Sequence, residues 1–186
     1  MTVANMITIL RFLLVPAVVY WLLAGDWRLA FAGFLIAGIS DGVDGFVARH
    51  FNQRSTLGGY LDPMADKLLL VSVFVVLGVL GELPLWLVIV AVSRDGLIVC
   101  AVLLSSLMGS PIEVRPLMVS KANTVMQIVL VAVVLAERAF SFDFGAARPA
   151  LIILSGLLTV ASAGAYLVAW SRHMSKNGEG GPYAGQ

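Results

Sequence analysis

Charge is scarce in this chain. Of 186 residues, 12 % are charged and 60 % are hydrophobic, whereas soluble domains run near roughly 25 % charged and 45–50 % apolar. That imbalance excludes an ordinary soluble domain and leaves no room for a separate one beside the apolar part. Cysteine is nearly absent. Cys100 stands alone, so no intrachain disulfide can form, and its apolar surroundings predict a small buried side chain. A basic excess is missing as well: the net charge is +1, which excludes the positive field that a nucleic-acid partner requires. The amino end has no basic cluster, Arg11 falls inside the apolar run, and no small-x-small cleavage site follows the first 24 residues. That segment therefore reads as a retained helix and not as a cleaved secretory signal. No internal repeat is present.

What remains is a series of apolar stretches that approach or exceed the roughly 20 residues needed to span a bilayer. Six spanning helices are expected, with cores at 6–24, 29–49, 62–81, 84–108, 118–137 and 148–171. The breaks between them have turn chemistry, such as AGDWR at 24–28 and GELP at 81–84. The expected fold is thus an all-α integral membrane domain over residues 1–174, followed by a Gly-rich, polar and disordered tail, 175–186. Arg49, Arg54, Arg115, Lys121, Arg172 and Lys176 gather on one side, and Arg28, Arg138 and Arg148 on the other. The richer side is the cytoplasmic one. Glu82, Asp26 and Asp143 read as ordinary loop or interface charges. Gly38 and Gly42 form a small-xxx-small pair suited to close helix packing.

Against this background, residues 41–67, DGVDGFVARHFNQRSTLGGYLDPMADK, carry four aspartates. An intramembrane carboxylate costs about 2.5–3.5 kcal/mol, so four are not incidental. Asp41 and Asp44 are three apart, and Asp62 and Asp66 are four apart, so each pair shares a helix face. A hairpin about 50–59 brings the pairs to one level near the cytoplasmic surface. Four converging carboxylates repel one another unless hard divalent cations lie between them, and oxygen donors suit Mg²⁺ or Mn²⁺. Asp62, followed by Pro63, also fits a helix N-cap. Capping does not account for Asp41 and Asp44, which fall late in a helix, where the dipole disfavours anions. Gly45, Ala48 and Gly58 leave space for a ligand, and Arg49 offers a planar cation for a phosphate.

These positions match D-x-x-D-G-x-x-A-R-x8-G-x-x-x-D-x-x-x-D at Asp41, Asp44, Gly45, Ala48, Arg49, Gly58, Asp62 and Asp66. The segment resembles the signature of the CDP-alcohol phosphotransferase family. Asn5, Thr8 and Arg11 resemble that family's N-x-x-T-x-x-R element, with Ala4 where the family often has proline. The resemblance implies a six-helix membrane enzyme that moves a substituted phosphoryl group from a CDP-alcohol to an acceptor hydroxyl and releases CMP. It implies that Asp41, Asp44, Asp62 and Asp66 hold two divalent ions and that Asp66 acts as general base. Gly45, Ala48, Arg49, Gly58, Asn5 and Thr8 would contact the CDP moiety. CDP-diacylglycerol is the expected donor, since its acyl chains can stay in the bilayer. A homodimer is implied by family analogy. The expected location is a bacterial inner membrane, multi-pass, with the site facing the cytoplasm.

Acceptor contacts are expected from VSRDG at 92–96 and VSKANTVMQ at 119–127, through Arg94, Arg115, Lys121 and Asn123. Arg94 and Asp95 also fit a simple ion pair, and Lys121 a snorkelling anchor. Glycerol-3-phosphate enzymes of the family commonly show K-x-K-T here, but Asn123 replaces the second lysine. SKANT, together with the RD pair, is more similar to the cardiolipin-forming branch, so phosphatidylglycerol is the expected acceptor. A phosphatidylglycerophosphate synthase acting on glycerol-3-phosphate, a polyol phosphate, is the alternative. A divalent-cation transporter is the alternative from another class. It predicts acids nearer the midplane and a polar route across the outer half.

Overall fold

A computed structural model describes the backbone of residues 3–51, 58–107 and 118–178, and the side chains of 13–40, 67–100 and 118–168. The described chain is helical, with no strand among the described residues. Its helices are α1 (Val3–Ala24), α2 (Trp27–Phe51), α3 (Gly58–Val79), α4 (Leu85–Leu107), α5 (Met118–Phe140) and α6 (Ala147–Gly178). They fall where the six apolar stretches predict them, with two revised ends. First, α3 begins at Gly58, so Asp62 lies inside the helix and does not cap it. Pro63, this close to the helix start, removes one ladder bond at most. Second, α6 continues to Gly178, four residues into the expected tail; residues 179–186 lie outside the described residues.

Two glycines end helices by the same device. Gly25 and Gly81 have φ of 81° and 76°, a conformation without steric penalty only for glycine. At the first, Asp26 N–H reaches Trp21 C=O at 2.8 Å and Gly25 N–H reaches Leu22 C=O at 3.2 Å. At the second, Glu82 N–H bonds Leu77 C=O at 2.8 Å and Gly81 N–H bonds Gly78 C=O at 3.1 Å. Both are Schellman closures that satisfy orphan carbonyls and turn the chain back.

In the packing, α1 lies against α2 and α3, α2 against α5, α5 against α6, and α4 against α6, with α3 touching α2, α4 and α5. Val18, Leu22, Phe34, Val73, Phe74, Leu77, Leu87, Leu130 and Val134 form the apolar core. Gly33 and Gly78 let partners approach: a Cβ on Gly33 would lie 2.8 Å from the Trp21 ring, and one on Gly78 would lie 2.7 Å from Val88. Gly38 has open space around it. The close packing expected there is absent, because that face of α2 turns outward.

Polarity is distributed inside out. Arg94, Asn123, Gln127, Ser155, Thr159 and Ser162 are buried, while Leu13, Leu23, Ile39, Leu85, Ile89, Leu157 and Val160 face outward. Cys100 is exposed too, on α4 among outward-facing Leu97 and Val99, so it is not the buried side chain expected. Among the described residues, Met118–Phe140 and Ala147–Val168 are each long and apolar enough to cross a membrane, with mean hydropathies of 1.8 and 2.1. Leu13–Ala24, Trp27–Ser40 and Lys67–Val79 are shorter apolar helical segments.

Candidate functional site

Asp41, Asp44, Gly45, Ala48 and Arg49 lie on the second half of α2, and Gly58, Asp62 and Asp66 on the first half of α3. These helices are neighbours. At 1.5 Å per residue, Asp44 is about 10 Å before the end of α2, and Asp66 about 12 Å after the start of α3. Asn5 and Thr8 lie on the first turns of α1. The side chains of all these positions lie outside the described residues, as does Arg115 altogether. Among the described residues no cluster of three or more metal-ligating side chains occurs. The donor set fits a hard divalent cation: four carboxylates, all oxygen, carried on two adjacent helices.

One residue beyond Asp66, the described side chains begin with a charged hub. Lys67 Nζ lies 3.1 Å from Asp95 Oδ1, which also accepts from Arg94 Nη1. Arg94 is 2 % exposed. Its Nε and Nη2 donate to Ser162 Oγ at 3.2 and 2.7 Å. Nη2 also donates to Ser120, and Tyr166 lies under the guanidinium at 5.7 Å. The expected Arg94–Asp95 ion pair therefore forms, and it ties α3, α4, α5 and α6 together at one level. Fixed arginine donors satisfied by hydroxyls and a carboxylate are the usual condition for burying such a charge. Lys121, next to Ser120, is exposed.

Asn123 points inward, fully buried. Its Oδ1 accepts from Thr159 Oγ1 at 2.8 Å, Gln127 Nε2 lies 3.5 Å from the same hydroxyl, and Thr159 also reaches Ser155 C=O at 2.7 Å. Asn123 Nδ2 and Ser155 Oγ have no partner among the described residues. This neutral seam between α5 and α6 was not expected. Its trace in the sequence is polar residues at helical spacing: Ser120, Asn123 and Gln127 on α5, and Ser155, Thr159 and Ser162 on α6.

A second charged cluster closes the far end. Glu82, expected as an ordinary loop charge, is 6 % exposed. It pairs with Arg138 and, at 3.0 Å, with Arg148 Nη2, which also donates to the Glu82 carbonyl. Arg148 Nη1 bonds Glu137 Oε2 at 2.9 Å, and Phe144 N–H donates to Glu137 Oε1 at 3.2 Å. Burial pushes the Glu82 carboxyl up, but the two arginines outweigh it and hold it below the usual carboxylate range. Arg28 Nε donates to the Ala139 carbonyl at 3.1 Å, so Arg28, Arg138 and Arg148 share one end, as the loop charges predict. Glu137 was missed because a lone glutamate ahead of an arginine late in a helix looks like a surface pair.

Comparison with known proteins gives the family of the chain. The family model described as CDP-alcohol phosphatidyltransferase matches residues 1–168. The human protein named cardiolipin synthase (CMP-forming) is 33 % identical over 181 residues, covering 89 % of this chain and 60 % of that protein. A putative cardiolipin synthase of Mycobacterium tuberculosis is 43 % identical over 101 residues, 53 % of this chain and 47 % of its own. A chloroplastic CDP-diacylglycerol–glycerol-3-phosphate 3-phosphatidyltransferase of Oryza sativa subsp. japonica is 34 % identical over 157 residues, 75 % of this chain and 47 % of its own. The chain spans 60 % or less of the length of each of these three relatives.

Proposed function

We propose, from the premise that this chain belongs to the CDP-alcohol phosphatidyltransferase family, that it transfers a phosphatidyl group from CDP-diacylglycerol to phosphatidylglycerol and releases CMP. What supports this reading is the match of the family model to residues 1–168 together with the eight-position signature, whose residues fall on α2 and α3. Asp41, Asp44, Asp62 and Asp66 would hold a pair of Mg²⁺ or Mn²⁺ ions. When bound, such ions neutralise the diphosphate and stabilise the CMP leaving group. Asp66 takes the proton of the acceptor hydroxyl. The acceptor oxygen bonds the phosphorus that carries the diacylglycerol, and the bond from that phosphorus to the CMP oxygen breaks. A carboxylate serves here because an alcohol is a poor nucleophile at neutral pH. Gly45, Ala48, Gly58, Asn5 and Thr8 would shape the nucleotide pocket, and Arg49 would meet the diphosphate.

All six helices are taken to span the membrane. The inside-out polarity supports this: apolar outer faces suit hydrocarbon, and interior polar groups find partners in one another. The basic loops put the aspartates on the cytoplasmic side of a bacterial inner membrane, and a homodimer follows from the family alone. Phosphatidylglycerol is favoured over glycerol-3-phosphate, whose dianionic phosphate calls for more cations. At the position of the second lysine of K-x-K-T, Asn123 is sealed against Thr159, so no cation is presented there. A cation transporter is disfavoured. Between Asp95 and the Glu82–Glu137 cluster, the described interior is a neutral seam with no carboxylate for the ion to meet.

The test is purified protein supplied with CDP-diacylglycerol and Mg²⁺ or Mn²⁺, with phosphatidylglycerol and glycerol-3-phosphate offered separately and the lipid product identified by mass. Cardiolipin and CMP are the expected products. Product from glycerol-3-phosphate alone would replace the acceptor and keep the reaction class.

A further inference from the structure

The hub that begins at Lys67 has one carboxylate with two partners. Among the described residues, two cations, Lys67 and Arg94, share the single carboxylate of Asp95. They hold it on unequal terms. Arg94 is 2 % exposed, bonded to Ser162 and Ser120 and stacked on Tyr166, so it is fixed and already neutralises Asp95. The Lys67 side chain is 45 % exposed, on a flexible stem, and an exposed lysine–carboxylate contact is worth little. Lys67 is therefore the exchangeable partner: Asp95 keeps Arg94 if the lysine leaves. Of the other cations expected near the acceptor, Arg94 is enclosed and position 123 holds no cation. Lys67 and Lys121 remain as the exposed cations at this end among the described residues.

We propose that Lys67 is a specificity-determining contact for the acceptor: at rest its ammonium sits on Asp95, and in the loaded enzyme it moves to the phosphate diester of the incoming lipid. The inference rests on the phosphatidyl-transfer reading above. Chemically it asks for a single monoanionic phosphate, because one displaced lysine supplies one charge. The depth fits, since Lys67 lies in the same turn of α3 as Asp66. Only a side-chain rotation is required, because Asp95 keeps Arg94 when Lys67 leaves.

The test compares wild type, Lys67→Met and Lys67→Arg in mixed micelles, with CDP-diacylglycerol saturating and phosphatidylglycerol varied. Thermal unfolding is followed in parallel. Lys67→Met is expected to raise the acceptor KM about tenfold or more, the worth of a charge-assisted hydrogen bond. Its kcat should stay within about threefold and its melting temperature near wild type, and Lys67→Arg should recover most of the KM. An unchanged acceptor KM in folded Lys67→Met overturns the proposal, as does a loss confined to kcat. Absence of any product from wild type with either acceptor would sink the transfer reading and this one with it. An active wild type with an indifferent Lys67→Met sinks this one alone.

Discussion

The two charged clusters of this bundle are built from the same side chains and serve different ends. At the Glu82 end, two buried carboxylates meet two arginines, and Arg148 reaches both. Charges cancel there, and the loop before α4, the end of α5 and the start of α6 are locked to one another. At the Asp95 end, two cations share one carboxylate and one of them is half exposed. At the Glu82 end Arg138 stays 54 % exposed, but each carboxylate has an arginine partner of its own. At the Asp95 end, among the described residues, the half-exposed lysine is a second partner that the carboxylate can lose.

The comparison breaks most visibly at the signature. Asp66→Asn is expected to lower phosphatidyl transfer by about 1,000-fold while the helical content and melting temperature hold, since it removes the proposed base and a ligand oxygen together. CMP release is the readout, and near-normal turnover would end the assignment of Asp66. The balanced end responds in stability instead. Arg148→Met strands Glu137 without an arginine among the described residues, and should cost about 3–5 kcal/mol, with turnover per folded molecule unchanged. Unfolding measured in detergent checks the first part, and a lowered turnover would contradict the second.

Acid sharpens the contrast. The carboxyl of Glu82 is held below its ordinary range in the folded protein, so near that range the unfolded chain binds more protons than the folded one. Its contribution is full above the ordinary glutamate pKa and is lost as pH falls through the lowered folded value. The melting-temperature gap between wild type and Glu82→Gln should therefore shrink on acidification; a gap that widens would contradict the sign. The smallest effects concern packing. Gly78→Ala, near the closed end, drives a methyl to within 2.7 Å of Val88, a stiff β-branched neighbour, and should destabilise by about 1–3 kcal/mol. Gly38→Ala meets nothing within 4 Å and should be neutral or gain up to about 1 kcal/mol in helix propensity. Equal melting temperatures for the two variants would erase this difference between the ends.

Much of this was legible in order along the chain. Long apolar stretches have no alternative to helix where water is absent, so the helices fall where hydropathy puts them, and Gly25 and Gly81 end two of them where turn chemistry says they should. The signature was legible because its spacing is local: residues three and four apart share a face on any helix. Where the expectations failed, the cause was a helix boundary in one case and the packing of a face in the other. Asp62 looked like a cap until Gly58–Leu61 proved helical, and Gly38 looked like a packing site until its face turned outward.

By itself, the order of residues determined the helices, the apolar exterior and the eight positions of the signature, because each depends on neighbours within a turn or two. Only the tertiary structure decided that Glu82 is buried between Arg138 and Arg148, that Asn123 faces Thr159, and that Lys67 and Arg94 meet on Asp95. Those pairings join residues from 28 to 66 positions apart, or turn a local pair into a shared one. The partner of a buried polar group is chosen by whichever helix packs against it, and no local pattern carries that information.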